Sequence, residues 1–331
     1  MVYFIHMVTD TSKRILEFIE SKDKAQVKEI VEYLGFSRQA VSRQLNKLQE
    51  QNQIYKIGKP PKVFYSIKKQ KSENKEYNVK EQIRLVIEKN FLTITVTGEI
   101  KKGWEGFIIW CHKRKQDVEK VAVDYYKIIK KYKSIRKNGL LDGMVKMNNT
   151  FSQVYLDNVF YLDFYAIEHF GKTKLGQMLL YAKQSQNKAM IKELTNDIKP
   201  RIKQLIKEYK IDAVGFIPPT VKREVQFMKE LENNLAFRIN KIKITKIKTP
   251  VIVPQKTLNK LADRIENANK TFVVGTQPKY KNILLIDDAV GSGATLNEIA
   301  RQIKQKDIVQ NKIIGLVITG SLKGFDVISE V

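Results

Sequence analysis

The chain has 331 residues, of which 43% are hydrophobic and 29% are charged, a composition typical of a folded protein of about two domains. Its single cysteine, Cys111, excludes an intrachain disulfide and a zinc site of paired cysteines, and favours a reducing, cytoplasmic location. The formal net charge of +25 favours polyanionic partners. No apolar run approaches the roughly 20 residues needed to cross a bilayer, so no membrane association is expected.

Composition and spacing divide the sequence into three regions. Residues 1–70 show short helical patterns followed by a strand pair, and the polar stretch KKQKSENKE (68–76), which marks their end, has the composition of a linker. Residues 156–331 alternate helical patterns with short apolar runs, which predicts an α/β fold with parallel strands. Residues 71–155 are predicted to be a linker or middle region of unassigned role. Its two tryptophans, Trp104 and Trp110, are expected in a packed core, with stacking on a base as the alternative.

The first region carries the start and stop signals of three helices. Thr11 and Ser12 are expected to cap the first helix. Gly35 is expected to end the second helix, because glycine adopts the left-handed conformation of a helix C-cap without strain. Ser37 is then expected to cap a third helix over residues 38–50, whose apolar positions recur at helical spacing.

A strand pair follows these helices. Residues 54–67 have the sequence IYKIGKPPKVFYSI, which predicts two strands around a Gly-Lys-Pro-Pro-Lys tip. Together, residues 11–67 resemble the winged helix-turn-helix family of bacterial regulators, most specifically in LGFSRQAVSRQLNKLQEQNQI (34–54). The resemblance implies that the third helix enters the major groove of double-stranded DNA. The predicted DNA-binding residues are Arg38, Gln39, Ser42, Arg43, Asn46, Lys47, Lys59 and Lys62. The alternative is a winged helix that is used for protein contacts.

The most specific motif lies in the last region, where residues 283–296 have the sequence ILLIDDAVGSGATL. Four apolar residues predict a buried parallel strand, Asp287 and Asp288 follow at its carboxyl end, and a helix is expected to begin near Thr295. Ligands of open α/β sheets bind just beyond the carboxyl ends of the strands. A small-residue loop before a helix lets backbone N–H groups approach a phosphate, and adjacent carboxylates can accept hydrogen bonds from vicinal sugar hydroxyls. The motif therefore predicts a sugar-phosphate site.

This motif resembles the phosphoribosyl pyrophosphate (PRPP) signature of type I phosphoribosyltransferases. The resemblance implies a parallel-sheet type I phosphoribosyltransferase fold with Asp287 and Asp288 as its catalytic acids. It implies Mg²⁺ as a cofactor bound with PRPP, carried mostly by the ligand's oxygens and not by protein metal ligands. The loop implied to bind the 5′-phosphate consists of Gly291, Ser292, Gly293, Ala294 and Thr295.

Residues 160–331 resemble the ComF-like branch of these proteins in particular. The stretch 211–227 is similar to its strand and pyrophosphate loop, which implies pyrophosphate contacts from Thr220, Lys222 and Arg223. The stretch 249–274 is similar to its flexible-loop region, and the polar residues that fit this pattern are Gln255, Lys256, Arg264 and Asn267. The zinc-binding cysteines of that family are absent, and its Arg-Gly-Phe-Asn-Gln element is replaced by EVQFMKEL (224–231), which puts pyrophosphate handling and turnover in question.

The order of the two resemblances is similar to that in purine repressors of Gram-positive bacteria. It predicts a DNA-binding transcriptional regulator whose second domain binds PRPP or a nucleotide as effector. A homodimer is expected, because operators are usually two-fold symmetric. The alternatives are an active phosphoribosyltransferase that transfers phosphoribosyl from PRPP to a nucleobase nitrogen, and a ComF-like competence accessory protein.

Overall fold

The structure is a computed structural model that describes residues 2–68, 76–251 and 253–321. The chain divides into two compact units, Met1–Tyr77 and Asn78–Val331. Most of the predicted linker stretch lies outside the described residues, and the domain limits proposed at residues 70 and 155 stay predictions. No helix among the described residues combines the length and the apolar character required of a membrane span.

The described residues of the first unit form a helix-turn-helix followed by a β-hairpin. In chain order the elements are α1 (Val2–Lys22), α2 (Val27–Leu34), α3 (Arg38–Glu50), β1 (Ile54–Lys59) and β2 (Lys62–Ile67). Strand β1 pairs antiparallel with β2, and Lys59 lies opposite Lys62 across the Pro60-Pro61 turn. This order and this pairing confirm the predicted winged helix.

A small apolar core holds the winged helix together. Ile15 and Ile19 of α1 pack with Leu45 and Leu48 of α3 and with Ile54 of β1, and all five side chains are buried. Full burial of such a side chain stabilises a fold by about 1.5–3 kcal/mol. In so small a unit each of these residues therefore carries a large share of the stability.

Two of the predicted helix ends are confirmed and one is wrong. Gly35 has a φ of 72° and ends α2 by donating its N–H to the Val31 carbonyl. Ser37 caps α3, since its Oγ accepts from the Ala40 N–H at 3.3 Å. The first helix does not begin at Thr11 and Ser12 but extends back to Val2. No glycine or proline stands between Val2 and these residues, so nothing in the backbone stops the helix there.

The second unit begins with helices and short strands. Its first elements are α4 (Glu81–Asn90), β3 (Leu92–Ile94), β4 (Ile100–Lys102), α5 (Gly103–Lys113), α6 (Val118–Ser134), β5 (Leu141–Asp142), α7 (Met144–Thr150), β6 (Asn158–Phe164), β7 (Ala166–Ile167) and β8 (Gly171–Lys172). The elements that follow are α8 (Lys174–Gln184), α9 (Lys188–Glu208), β9 (Ala213–Phe216), α10 (Phe227–Leu235), β10 (Asn240–Lys241), β11 (Ile244–Lys246), α11 (Leu261–Thr271), β12 (Phe272–Val274), β13 (Tyr280–Val290), α12 (Ala294–Gln305) and β14 (Val309–Gly320). Short 3₁₀ turns occur at Glu168–Phe170 and Gln255–Thr257.

Among the described residues, six strands form the central sheet in the order β10-β9-β13-β14-β6-β5. Neighbouring strands run parallel, except that β5 pairs antiparallel with β6. The apolar runs of the last region, at 211–217, 282–287 and 312–319, were predicted as strands and correspond to β9, β13 and β14, whereas the sequence patterns did not single out β6. The predicted fold class is confirmed as an α/β fold with a mostly parallel sheet, preceded by a winged-helix unit.

One face of this sheet is covered by α8, α9 and α10. Leu179, Leu194 and Leu231 of these helices belong to one buried apolar cluster with Leu284 of β13 and Leu316 of β14. All four apolar residues 283–286 of β13 are buried, so both faces of this strand are covered, and a strand covered on both faces has no polar side to alternate with. This burial explains why β13 and β14 have continuous apolar sequences. The packed helices also hold in place the strand that carries the predicted acid pair.

The aromatic residues of the middle region form a second buried cluster. The relative solvent-accessible surface of Trp104 is only 8%, and that of Trp110 is only 6%. Both indole rings stack on Phe107, and Phe91 and Tyr125 also pack against that residue. The two tryptophans are therefore core residues, as expected, and do not offer an open platform for a base.

Candidate functional site

Helix α3 presents a polar face to solvent. Val41, Leu45 and Leu48 are buried in the core of the unit, so the opposite side of the helix faces outward. The predicted DNA-contacting residues on this side are exposed, except for Ser42, which is half-buried: Arg38, Gln39, Ser42, Arg43, Asn46 and Lys47. Their amide, hydroxyl and cationic groups can hydrogen-bond to base edges and to phosphates.

The wing adds two cations to the same unit. Lys59 and Lys62 are exposed and lie on either side of the Pro60-Pro61 turn. Such cations can neutralise backbone phosphates. The structure thus places the predicted DNA-binding residues at the surface of the first unit, and their role in binding stays a prediction.

The second unit contains a cavity of about 200 Å³ at the carboxyl end of its central sheet. On one side of β13, the ladder to β9 ends with a bond from the Ile217 N–H to the Ile286 carbonyl at 2.9 Å. Pro218 and Pro219 follow, and they cannot continue the ladder because proline has no N–H group. Strand β13 continues to Val290 without a partner on that side, so its last residues border the cavity.

Asp287 and Asp288 line the cavity. They were expected at the carboxyl end of the strand, and the structure places both of them near the end of β13, with Asp287 opposite Val317 of β14. Successive side chains of a strand point to opposite faces. Asp288 accepts a hydrogen bond on Oδ2 from the Lys183 Nζ of α8 at 2.7 Å, and its N–H donates to Asp287 Oδ1 at 2.8 Å.

Lys183 is a site residue that the sequence did not reveal. It lies 105 positions before Asp288, in a lysine-rich chain, and no local motif distinguishes it from other lysines. Only the packing of α8 on the sheet brings its ammonium to the acid pair. The side chains of Lys183 and Asp288 are 15% and 18% exposed, so solvent screens this ion pair less than it screens a surface pair.

The cavity favours the neutral form of Asp287. Burial of the carboxyl group and, secondly, the charge of Asp288 raise the pKa of Asp287 well above the ordinary value of 3.8. The backbone N–H of Asp288 and the ammonium of Lys183 act in the opposite direction. A strongly raised pKa beside a second acid in a cavity is typical of a binding or catalytic site.

This raised pKa predicts a pH-dependent stability. Folded Asp287 retains a proton that the unfolded chain has released, so its stabilising contribution is complete below the unfolded pKa of about 4 and is lost as the pH rises through the folded pKa. Asp287→Asn cannot ionise. We expect its melting temperature to exceed that of the wild type by a margin that grows from about pH 5 to about pH 8. Thermal melts across this range measure the margin, and a margin that does not vary with pH would contradict the raised pKa.

The loop between β13 and α12 lines the cavity and leads into a helix start, and its binding of phosphate stays a prediction. Gly293 is the N-cap of α12 and has a φ of 89°, a conformation that favours glycine. Ser292 is buried, and its Oγ accepts from the Ala294 N–H at 3.3 Å. The helix begins at Ala294, one residue earlier than expected. Because the first N–H groups of a helix have no intrahelical partner, this loop and Thr295 can direct donors at an anion.

The middle region supports this loop. A side chain at Gly293 would place its Cβ 2.5 Å from the Sδ of Met147, which lies on α7. Asn297 of α12 accepts from the Tyr155 N–H at 2.8 Å and donates to the Gln153 carbonyl at 2.9 Å. These hydrogen bonds join positions 142 and 144 apart, so no local pattern predicts them. They give part of the middle region a structural role at the site.

The predicted pyrophosphate loop follows β9. Thr220 and Arg223 line the cavity, whereas Lys222 is exposed on the same turn and is not part of the cavity wall. Arg223 donates through Nη1 to the Lys183 carbonyl, which ties the loop to the end of α8. In this arrangement the fold brings Thr220 and Arg223 to the cavity and leaves Lys222 in solvent.

The stretch that departs from the ComF-like pattern, residues 224–231, forms the end of this loop and the start of α10. The Val225 N–H donates to Gln186 Oε1 at 2.9 Å, and Gln226 Nε2 donates to the Arg223 carbonyl at 3.1 Å. Gln226 and the first two residues of α10 line the cavity. This part of the cavity wall is therefore formed by one amide side chain, from Gln226, and by the apolar side chains of Phe227 and Met228.

The segment that resembles a flexible loop lines another part of the wall, through Gln255 and Arg264. Arg264 is only 4% exposed, and its Nε donates to the Leu258 carbonyl at 2.7 Å. Gln255 Nε2 donates to the Arg264 carbonyl at 3.1 Å and to Asn267 Oδ1 at 3.2 Å. These bonds join the first part of the segment to α11, which forms its second part. The side chain of Lys256 lies outside the described part of the chain.

Comparison with known proteins gives one match to a protein family and further matches to solved structures. Residues 8–60 match the MarR family, which confirms the predicted resemblance of this region to helix-turn-helix regulators. A solved structure of a hypoxanthine phosphoribosyltransferase from Staphylococcus aureus is 15% identical with a TM-score of 0.22, and the match covers 40% of this chain and 75% of that one.

Two adenine phosphoribosyltransferase structures are also similar to part of the chain. The enzyme from Leishmania donovani is 13% identical with a TM-score of 0.25, and the match covers 48% of this chain and 83% of that one. The enzyme from Leishmania tarentolae is 11% identical with a TM-score of 0.25, and the match covers 50% and 93% respectively. No curated protein matches the chain. The ComF-like resemblance stays a prediction.

Proposed function

We propose that this protein is a DNA-binding transcriptional regulator whose second unit binds PRPP or a nucleotide as its effector. The observation that carries the proposal is one cavity in which a carboxylate pair and a glycine-containing loop at a helix start line the same space. The same chain holds a winged-helix unit with an exposed polar helix. A ligand site and a DNA-contacting surface on one chain are the two parts that a ligand-controlled regulator requires.

The cavity residues suit a ribose that carries phosphate groups. Asp287 and Asp288 can accept hydrogen bonds from vicinal ribose hydroxyls, while the loop 291–295 offers N–H and hydroxyl donors to a phosphate. Lys183 and Arg223 add positive charge beside the acids, which suits a pyrophosphate group. A ligand that carries a diol and phosphate groups would engage all of these groups together, whereas a simple inorganic anion would engage only the donors.

Magnesium would enter with such a ligand. Mg²⁺ usually keeps several waters and is bound by one or two carboxylates together with substrate phosphates. In the described parts of the chain, no group of three or more histidine, cysteine, aspartate or glutamate side chains is placed to hold a metal. The arrangement fits an ion that is carried by the phosphate and ribose oxygens of the ligand, where it would compensate their negative charge.

On the first unit, α3 would lie in the major groove of DNA. Gln39, Arg43 and Asn46 would contact base edges, while Arg38 and Lys47 would neutralise phosphates. A single winged helix contacts a short site. We therefore propose that two copies of the chain bind a two-fold symmetric operator.

Arg43 provides a direct test of this surface. We expect Arg43→Ala to weaken binding to the promoter DNA of its own gene by about 30-fold or more, because each of the two proposed copies loses a bidentate base contact that contributes about 1–3 kcal/mol. Its affinity for PRPP should not change. Fluorescence anisotropy with labelled promoter DNA at one fixed salt concentration measures the effect, since phosphate contacts make such affinities salt-dependent. Arg238→Ala removes an exposed arginine of the second unit and is the matched control. Wild-type binding by Arg43→Ala would exclude α3 as the recognition helix.

Regulation itself is tested by adding PRPP to the DNA-binding measurement. A ligand changes DNA affinity only to the extent that it binds two conformations of the protein with different affinity. We therefore expect PRPP with Mg²⁺ to shift the midpoint of the anisotropy titration. An unchanged midpoint, with PRPP bound, would contradict an effector role.

A second function, an active phosphoribosyltransferase, is favoured by one observation. Thr220 and Arg223 stand in the cavity wall near the acid pair, where they would hold a pyrophosphate leaving group. Release of pyrophosphate from PRPP in the presence of a panel of nucleobases measures this activity. If pyrophosphate is released and DNA binding does not respond to PRPP, the enzyme hypothesis is favoured over the regulator hypothesis.

A further inference from the structure

The phosphate loop has no cationic side chain of its own. Residues 289–296 have the sequence AVGSGATL, so the loop would bind a phosphate through N–H and hydroxyl groups. A phosphate monoester carries a charge of about −1.5 to −2 at neutral pH. Transfer of this charge from water to a cavity wall costs free energy unless a cation compensates it. A buried cation beside the loop would therefore determine how strongly the loop holds a phosphate.

Arg264 is a buried cation on the wall of the same cavity. The packing of α11 beside α12 places it there. Gln302 of α12 donates to the Phe272 carbonyl at 2.8 Å and accepts from the Val274 N–H at 2.9 Å, which fixes the end of α11 beside α12. The two helices pack against each other, and Arg264 lines the same cavity as the phosphate loop.

Local bonds hold the Arg264 side chain in place. Its Nε donates to the Leu258 carbonyl, and Gln255 donates to the main chain of Arg264 and to Asn267. A side chain that is already fixed loses little conformational freedom when a ligand binds. Arginine is also suited to this position, because its planar fork can donate two parallel hydrogen bonds to phosphate oxygens and it remains charged when buried.

We infer that Arg264 is a phosphate-binding residue, whose guanidinium binds the ester phosphate that the loop 291–295 holds. This inference rests on the proposed ribose-phosphate function of the cavity and names the side chain that compensates the phosphate charge. It assigns the cavity to ribose derivatives with a 5′-phosphate and excludes unphosphorylated nucleosides as its ligands. The phosphate end of the ligand then lies between α12 and α11, and its other end lies towards Lys183 and Arg223.

Titration calorimetry of the full chain with two probes tests the inference. Ribose 5-phosphate carries the ester phosphate without a pyrophosphate, and inorganic pyrophosphate represents the other end of PRPP. We expect Arg264→Met to lower the affinity for ribose 5-phosphate by about 10- to 100-fold, the range of charge-assisted hydrogen bonds, and to leave pyrophosphate binding unchanged. Arg238→Met, at an exposed arginine outside the cavity wall, should change neither affinity. Unchanged ribose 5-phosphate binding by Arg264→Met, or equal losses for both probes, would overturn the inference.

Arg264→Lys keeps the inference testable if the methionine variant does not fold. Lysine retains the charge but lacks the planar fork, so ribose 5-phosphate affinity should fall by about threefold to tenfold with pyrophosphate binding unchanged. Wild-type affinity for ribose 5-phosphate in this variant would also overturn the inference. Failure of the proposed ribose-phosphate site has a different signature, because the wild-type protein itself would then bind neither PRPP nor ribose 5-phosphate.

Discussion

We expect the double variant Asp287→Ala/Asp288→Ala to lose about 30- to 2,000-fold in PRPP affinity, because both side chains are proposed to accept ribose hydroxyls. The charged Asp288 would contribute about 1.5–3 kcal/mol and the neutral Asp287 about 0.5–1.5 kcal/mol. Binding to promoter DNA in the absence of ligand should stay at the wild-type level. The two acids belong to the second compact unit, whereas α3 and the wing belong to the first. Calorimetric titration with PRPP and Mg²⁺ measures the loss of PRPP affinity, and anisotropy with labelled DNA measures the DNA affinity that is retained.

The control for this variant has to account for the altered charge. Removal of Asp288 leaves the largely buried Lys183 without the carboxylate that pairs with it, which by itself destabilises the fold. Thermal melts should therefore accompany the titrations. Asp307→Ala removes an exposed acid that pairs with Lys279 in the same unit, so it changes the charge at a distance from the cavity. Wild-type PRPP affinity in the double variant would show that the acid pair does not hold the ribose.

The second large effect concerns Gly293. A residue with a side chain at its φ of 89° is strained by about 1–2 kcal/mol. A Cβ at this position would also lie 2.5 Å from Met147 Sδ, and relief of such overpacking costs about 1–3 kcal/mol. We therefore expect Gly293→Val to lower the free energy of unfolding by roughly 2–5 kcal/mol and to abolish PRPP binding, since the loop that offers the phosphate donors has to move.

Gly98 offers a matched control for this substitution. Its φ of 84° is similar, but a Cβ there would meet no atom within 4 Å. Gly98→Val should therefore show the backbone strain alone, about 1–2 kcal/mol, with wild-type PRPP affinity. Urea unfolding gives the free energies, and calorimetry gives the affinities. If Gly293→Val binds PRPP like the wild type, the loop 291–295 is not the phosphate site.

The features that could be predicted from the sequence are those that neighbouring residues determine. The end of the strand, the acid pair, the glycine loop and the helix start all lie within residues 283–296, and their order predicts this local sequence of elements. Gly35 and Ser37 mark helix ends through their own backbone preference and side-chain oxygen. The ion pair of Lys183 with Asp288 depends instead on the packing of α8 against the sheet, which no local pattern encodes.

Local signals also have limits of their own. Thr11 and Ser12 carry side chains that suit a helix cap, yet such residues start a helix only where the preceding backbone leaves the helical conformation, and here it does not. In the turn after β9, Lys222 is exposed although Thr220 and Arg223 line the cavity. Which side chains of an irregular turn face a cavity depends on backbone angles that residue types alone do not specify.

Beyond Pro218 and Pro219, residues 287–290 of β13 have no strand partner on the side of β9 in the described part of the chain. Since neither proline can donate to this strand, no interstrand hydrogen bond has to break before a molecule reaches Asp287. A ligand can therefore enter the cavity while the hydrogen bonds of the sheet stay intact. Capture should consequently be governed by collision frequency and by the charges around the entrance, with association rates that fall as ionic strength rises.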